Sequence, residues 1–202
     1  MRPKLAGASA RTLIVLGSGG HTAEMLMMLG ALDQSKYSPR VYVVAATDAM
    51  SQKKAEGKEH TWAGGGSADS KTSAHQAANS HQHFHVRSIP RSREVGQSYL
   101  TSVLTTLRSL VFAASLVWQE RPELVLVNGP GTCIPICAAA FALRFLGLRD
   151  SRVAYVESIA RTHRLSLSAK ILYHSRVADV LFVQWEGLAK SHPRAVYAGR
   201  LY

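Results

Sequence analysis

The feature that most constrains the fold lies near the amino terminus, where an apolar run leads directly into a glycine-rich turn. Residues 12–16 read TLIVL, and the residues that follow read GSGGHTAEM. A short, uninterrupted apolar run is typical of a strand buried on both faces of a parallel sheet. Large apolar residues then recur at helical spacing, at Met25, Leu26, Met28, Leu29 and Leu32. The pattern predicts a strand, a tight turn and a helix that begins near His21.

The same alternation of strand and helix continues along the chain. Further strands are predicted at Arg40–Ala46, Phe84–Ile89, Glu123–Val127, Arg152–Val156 and Val180–Gln184. Helices are predicted at 97–120, 133–146 and 166–175, with a short helix before the closing segment 195–202. This order favours an α/β fold, a doubly wound and Rossmann-like parallel sheet with right-handed crossovers. The length suits a single domain, residues 1–202.

Residues 51–83 differ from the rest because they include almost no large apolar side chains. Such a segment cannot bury enough surface to offset its ordering entropy, so we expect a flexible insertion. Histidines gather near its end, at His75, His81, His83 and His85. Nothing in the sequence fixes their geometry, which favours a solvated loop over a metal site. We therefore expect no metal and no cofactor.

The chain is strongly basic, with 24 Lys and Arg against 13 Asp and Glu and a formal net charge of +11. This balance indicates an anionic partner: nucleic acid, an anionic membrane or a phosphorylated small molecule. Aromatic residues make up only 7% and no RNA-binding signature is present, which weighs against a nucleic-acid-binding module. Cys133 and Cys137 are one helical turn apart in an apolar run and are expected to be buried free thiols.

Three polar segments follow predicted strands: GSGGH at 17–21, NGPGT at 128–132 and ESIART at 157–162. The carboxyl ends of parallel strands share one edge of the sheet, and ligands bind there at the switch in strand order. We therefore expect the three segments to surround one cleft. The glycine amides and the positive end of the following helix suit a phosphate, although a bare tight turn is the alternative interpretation.

The glycine turn matches neither common nucleotide motif. Thr22 stands where the dinucleotide fingerprint has its third glycine, and Asp48 is poorly placed to bind a ribose. No Gly-Lys-Ser/Thr follows, so a Walker loop is excluded. His21 is either a helix-start residue or a neutral base near the cleft, and Glu157 is either a loop acid, a sugar ligand or the base. Four arginines either bind phosphates or are solvent-exposed loop residues: Arg91, Arg93, Arg161 and Arg164.

Five motifs in order resemble the family of asparagine-linked glycosylation protein 14. They read GSGGHTAEM, RSREVGQSY, NGPGTCIPIC, YVESIARTHRLSLSAKILYH and VLFVQWEGLAKSHPRAVYAGRLY. The resemblance implies the acceptor-side, membrane-recruiting subunit of a UDP-N-acetylglucosamine transferase, similar to the N-terminal half of the GT-B enzyme MurG. The partner would be the donor-binding subunit, asparagine-linked glycosylation protein 13. The complex would add the second N-acetylglucosamine, in β-1,4 linkage, to dolichyl-diphosphate-N-acetylglucosamine on the cytosolic face of the endoplasmic reticulum or the nuclear envelope.

The resemblance also implies roles for particular residues. Backbone and side chains would hold the acceptor diphosphate at Gly17, Ser18, Gly19, Gly20, Asn128, Gly129, Gly131 and Thr132. Glu157 is slightly favoured as the base and His21 as an acceptor-positioning group, with a phosphate clamp from Arg91, Arg93 and Arg161. The closing residues Tyr197, Arg200, Leu201 and Tyr202 would contact the partner. The single chain is expected to be inactive because nothing in it resembles a UDP-binding domain.

No segment resembles a membrane span, whereas members of this family usually carry an N-terminal membrane helix. Residues 1–12 lack an apolar stretch, and the longest apolar run, Thr132–Leu143, is shorter than the roughly 20 residues that a span needs. The apolar side of the 97–120 helix either attaches to the membrane or packs in the core, through Leu110, Val111, Phe112 and Trp118. The rival functions are a basic nucleotide- or nucleic-acid-binding module and a pure scaffold.

Overall fold

The computed structural model describes residues 9–64, 83–90, 99–129 and 131–201, which form one parallel sheet with helices on both faces. The strands are β1 (Thr12–Val15), β2 (Arg40–Ala45), β3 (Phe84–Ile89), β4 (Leu124–Val127), β5 (Arg152–Val156), β6 (Val180–Val183) and β7 (Ala195–Tyr197). The helices are α1 (Gly20–Gly30), α2 (Ala49–Gly64), α3 (Tyr99–Glu120), α4 (Cys133–Phe145), α5 (Leu167–His174) and α6 (Glu186–Ser191).

The strand order is β3-β2-β1-β4-β5-β6-β7, and every neighbouring pair is parallel. The chain builds one side of the sheet from β1 to β3 and then returns to place β4 on the other side of β1. The predicted doubly wound parallel sheet is therefore confirmed, and its topological switch point lies between β1 and β4. Strand β7 adds an edge that the periodicity did not predict, paired to β6 through Leu181 and Ala195.

Successive residues of β1 point to opposite faces and join two separate cores, which explains its uninterrupted apolar sequence. Leu13 and Val15 pack on the side that α3, α4 and α5 cover. Ile14 and Leu16 pack on the side that α1 and α2 cover. Cys133 and Cys137 are buried free cysteines in the first of these cores, as predicted.

The expectation of a flexible insertion is wrong for residues 51–64, because they belong to helix α2. The helix buries only small or polar side chains, Ser51, Ala55 and Glu59, at intervals of four residues. That spacing places them on one face of the helix. None of them is a large apolar residue, so the sequence shows no apolar periodicity there. Residues 65–82, with His75 and His81, lie outside the described residues, while His85 belongs to β3 and contacts Glu120.

Helix α2 is anchored to the sheet by a buried ion pair. The guanidinium of Arg40, at the start of β2, donates to both carboxylate oxygens of Glu59, over 2.5 Å and 2.7 Å. The hydroxyl of Tyr42 donates to the same carboxylate over 2.6 Å. Burial raises the pKa of Tyr42, and the adjacent Glu59 carboxylate raises it further. The polar helix is thus held by charge-assisted hydrogen bonds where an apolar contact would be expected.

Candidate functional site

The switch point places the three predicted loops next to one another. Strands β1 and β4 end in register, Val15 beside Val127, and β5 is the next neighbour, with Tyr155 beside Val127. Side chains then join the loops directly. Asn128 Nδ2 donates to the carbonyl of His21 over 2.9 Å, and Ser158 Oγ donates to Glu24 Oε1 over 2.8 Å. The structure therefore brings together the loops that follow β1, β4 and β5.

The glycine loop is held in shape by hydroxyl groups. Thr22 is fully buried, and its Oγ donates to the carbonyl of Gly17. Ser51 Oγ, at the start of α2, lies 3.0 Å from the same carbonyl and 2.7 Å from Thr22 Oγ. Asp48 caps α2 by accepting the amide of Ser51 over 3.1 Å, so its carboxylate is engaged in the fold. Thr22, at the position of the third glycine of the dinucleotide fingerprint, thus contributes its hydroxyl to the structure of the loop.

The turn leaves backbone amides at the cleft. Helix α1 begins at Gly20, and its capping residue Gly19 has a φ of 62°, a conformation that favours glycine. The first amides of an α-helix have no acceptor within the helix, and Gly20 and His21, the first two residues of α1, are not buried, so their amides can donate to a ligand. Ser18, Gly19 and Gly20 are exposed. Beyond the neighbouring backbone, nothing among the described residues lies within 4 Å of a Cβ placed at Gly19 or Gly20, so the arrangement has the elements of an anion-binding site: accessible amides and the positive end of a helix.

The second loop supports the imidazole of His21. Gly129 has a φ of 97°, and a Cβ placed there would lie 2.4 Å from Cε1 of His21. The ring therefore lies directly against the backbone of Gly129, and an added Cβ would displace it. Helix α4 begins just beyond, at Cys133, after the exposed Gly131 and its capping residue Thr132. The amino terminus of α4 thus lies at the same edge of the sheet as that of α1.

Glu157 is buried, with 1% of its surface exposed, and both carboxylate oxygens accept hydrogen bonds from the backbone. Oε1 accepts from the amide of Ser158 over 3.0 Å, and Oε2 accepts from the amide of Ser166 over 2.7 Å. The side chain therefore ties the two ends of the 157–166 loop together. Burial raises the pKa of the neighbouring Tyr155, and the Glu157 charge raises it further.

The carboxylate that faces all three loops belongs to Glu24, which the sequence analysis did not single out. Its contacts are Ser158, Asn128 and His21, at 2.8 Å, 3.5 Å and 3.8 Å respectively. The available signal was its position three residues after His21, which places both side chains on the same face of α1. That signal is weak because exposed acids at such spacing are common on helices.

The remaining predicted residues lie in the loop after Ser158, near the carboxyl end of the chain, or outside the described residues. Arg161 is exposed in the loop after Ser158. Tyr197 is exposed on edge strand β7, and the guanidinium of Arg200 lies 5.1 Å from the centre of the Trp185 ring. Leu201 donates its amide to Gln184 Oε1 over 2.9 Å. Arg91, Arg93 and Tyr202 fall outside the described residues.

Comparison with known proteins shows the family of this chain. The family model described as Oligosaccharide biosynthesis protein Alg14 like matches residues 12–201. The chain belongs to the Alg14 family. Its Alg14 relatives include the rat UDP-N-acetylglucosamine transferase subunit ALG14, 47% identical over 189 residues, which cover 94% of this chain and 82% of the relative. The human subunit of the same name is 44% identical over 193 residues, covering 96% and 83%. The subunit from Yarrowia lipolytica is 42% identical over 200 residues, covering 99% and 84%.

Solved structures with the same fold are larger. The chain is similar to MurG of Acinetobacter baumannii, with a TM-score of 0.58 and 15% identity, covering 96% of this chain and 44% of MurG. It is also similar to a putative UDP-N-acetylglucosamine 2-epimerase of Listeria monocytogenes, with a TM-score of 0.57 and 15% identity, covering 92% and 41%. The chain thus spans less than half the length of these structures. The Alg14 chain has the Rossmann-like fold of one half of a GT-B protein.

Proposed function

We propose that this chain binds the acceptor for a two-chain UDP-N-acetylglucosamine transferase. The site at the switch point would hold dolichyl-diphosphate-N-acetylglucosamine, and a separate donor-binding subunit of the asparagine-linked glycosylation protein 13 family would supply the sugar nucleotide. The product would carry a second N-acetylglucosamine in β-1,4 linkage. The observation that carries the proposal is the meeting of the α1 and α4 amino termini at one edge of the sheet, in a member of the Alg14 family.

The cleft offers what a lipid-linked diphosphate needs. The amides at the start of α1 can donate to phosphate oxygens without any cation. The exposed Arg161 and the net charge of +11 add long-range attraction for an anion. A divided enzyme is supported by the relatives of this chain, which are named as subunits of a UDP-N-acetylglucosamine transferase.

The geometry supports different tasks for the two predicted catalytic residues. In an inverting transfer, the acceptor hydroxyl attacks the anomeric carbon, UDP leaves, and a base takes the hydroxyl proton. Glu157 is poorly suited to that step because its oxygens are buried and already accept two backbone amides. His21 has 36% of its side chain exposed beside the glycine loop. His21 is therefore the candidate base, and Glu157 holds the loop that carries Ser158 and Arg161.

The test is co-expression with the donor-binding subunit, followed by a transfer assay on a short-chain polyprenyl-diphosphate-N-acetylglucosamine. We expect transfer by the complex and none by either chain alone. Gly19→Val should abolish transfer because its side chain would cover the free amides. Gly147→Val is the matched control, since Gly147 has a similarly positive φ of 70° and equally open surroundings, beyond the carboxyl end of α4. Full activity of Gly19→Val, or activity of the single chain, would refute the proposal.

Membrane attachment is assigned to the outer face of α3. Its core-facing residues Ala113 and Val117 are fully buried, but Val111 is 70% exposed and Phe112 and Trp118 are each 46% exposed. Packing in the core, the alternative considered from the sequence, therefore does not apply to these three side chains. Within the described residues, no helix is both long and apolar enough to cross a bilayer. Exposed apolar side chains on a helix can instead enter the membrane interface.

Arginines accompany this apolar face and fit an anionic lipid surface. Arg149 lies 4.0 Å from the centre of the Trp118 ring, and Arg108 lies 5.7 Å from that of Phe112. We expect the chain to float with vesicles that contain anionic lipid, and the double variant Val111→Ser/Phe112→Ser to lose this binding. Ile171→Ser, which removes an exposed apolar side chain from α5, is the matched control. Equal flotation of both variants would contradict the assignment to α3.

The partner contact is assigned to edge strand β7. Val196 and Tyr197 are both more than two-fifths exposed there. Leu201 donates to Gln184 and packs against the core, so removing it would disturb the fold as well as the complex. Tyr197→Ala is the cleaner test. We expect it to reduce co-purification with the donor-binding subunit while the unfolding midpoint stays unchanged; undiminished co-purification would contradict this interface.

A further inference from the structure

Glu24 lies among the polar side chains of His21, Asn128 and Ser158, and the proposed function assigns it no role. Its carboxylate is 14% exposed, and Oε1 accepts a hydrogen bond from Ser158 Oγ over 2.8 Å. The other oxygen lies 3.5 Å from Asn128 Nδ2 and 3.8 Å from Nδ1 of His21. Contacts from two separate loops, through Ser158 and Asn128, therefore hold this carboxylate beside the imidazole.

The two nitrogens of His21 have different surroundings. Nδ1 is buried and has no hydrogen-bond partner among the described residues. More than a third of the side chain is nevertheless exposed. Gly129 supports the ring from below and prevents it from turning freely. Nδ1 thus lies beside Glu24, and Nε2 is the ring nitrogen left for a ligand.

The geometry points to Glu24 as a positioning residue that holds the proton of His21 on Nδ1 and leaves the Nε2 lone pair directed at the acceptor. This role rests on the proposed function. A carboxylate beside one imidazole nitrogen fixes the tautomer and stabilises the imidazolium that forms when the other nitrogen takes a proton. The 3.8 Å separation exceeds a hydrogen bond by about 1 Å, and such contacts tighten when a substrate binds.

In the proposed sugar transfer, the acceptor, the donor and His21 account for every bond and proton. The acceptor hydroxyl gives its proton to Nε2 of His21 while its oxygen forms the bond to the anomeric carbon of the donor. The bond from that carbon to the UDP oxygen breaks, and UDP leaves with the electron pair. Glu24 keeps its charge throughout and stays paired with the imidazolium.

The first test measures the tautomer directly, without any assay of transfer. The full chain, labelled with ¹⁵N-histidine, is studied by long-range ¹H–¹⁵N correlation at a pH where the imidazoles are neutral, and His21→Gln assigns the signal. In the unmodified chain we expect the proton on Nδ1. In Glu24→Gln the side-chain amide would donate to Nδ1, and the proton should move to Nε2. Glu56→Gln, on the outer side of α2, is the matched control and should change nothing.

The result that overturns the proposal is a proton on Nε2 in the unmodified chain, or a proton that stays on Nδ1 in Glu24→Gln. The measurement on the unmodified chain decides the question even if the variant does not fold. These results do not depend on whether the chain takes part in sugar transfer.

The second test uses the complex with the donor-binding subunit. Glu24→Gln should lower kcat by about 10²- to 10⁴-fold, with the KM for the acceptor changed only a few-fold, because the diphosphate is held elsewhere. A purely structural role would instead change KM and kcat together. Unchanged kcat in Glu24→Gln would overturn the role of Glu24. Absence of transfer by the unmodified complex would refute the proposed function, while the tautomer measurement would still decide the role of Glu24.

Discussion

Replacing Gly129 by alanine tests whether the backbone below His21 determines the geometry of the site. The new Cβ would lie 2.4 Å from Cε1 and 2.5 Å from Nδ1 of the imidazole, so the ring must move. The φ of 97° adds strain for any residue with a Cβ. A left-handed backbone costs a non-glycine residue about 1–2 kcal/mol. Forcing a side chain off its rotamer costs about 0.5–1.5 kcal/mol. We therefore expect a loss of about 2–3 kcal/mol in the free energy of unfolding.

The measurement is urea and thermal unfolding of the purified chain. For a domain of this size, a loss of 2–3 kcal/mol corresponds to a decrease in Tm of about 4–12 °C. Gly131→Ala is the matched control, because Gly131 lies two residues away with open space at its Cβ and no positive φ. Gly19→Ala should fall between the two, since Gly19 has a φ of 62° but nothing within 4 Å of the added atom. Equal stability of Gly129→Ala and Gly131→Ala would refute the reasoning, as would an unchanged His21 resonance in Gly129→Ala.

Two further predictions concern the fold. Glu59→Leu should lower the free energy of unfolding by about 3–5 kcal/mol, because it leaves the Arg40 guanidinium buried without its partner; an unchanged urea midpoint would contradict this. Burial raises the pKa of Asp179, but the Val153 amide and the Arg144 guanidinium outweigh it and hold that pKa below its usual value. A lowered pKa stabilises the fold above a pH of about 4, and the stabilisation is lost as the pH falls through the folded-state pKa. Asp179→Asn should therefore make the urea midpoint less dependent on pH between about 4 and 2, and an unaltered dependence would refute this.

The strand, turn and helix at residues 12–30 could be predicted because their signals are local. An apolar run buried on both faces, glycines at a sharp turn and apolar residues at helical spacing can each be recognised within a dozen residues. The loops after β1, β4 and β5 could be assigned to one edge for a related reason. All parallel strands end on the same side, so topology alone places those loops together.

Helix α2 was missed because the contacts that bury Glu59 are polar and distant in sequence. Glu59 is buried only because Arg40 and Tyr42 reach it from the sheet. Composition suggested a segment with nothing to bury, and only the folded sheet supplies the partner that makes burial of a charge favourable.

The amino-acid sequence by itself determined the parallel sheet, the position of its switch point and the glycine loop that opens there, since these depend on periodicity and backbone freedom. Only the tertiary structure decided which carboxylate faces the cleft. Glu157 is bound to the amides of its own loop, whereas Glu24 meets Ser158, 134 residues away, beside the imidazole of His21. The direction and surroundings of a side chain depend on which distant segments pack around it, and no local pattern contains that information.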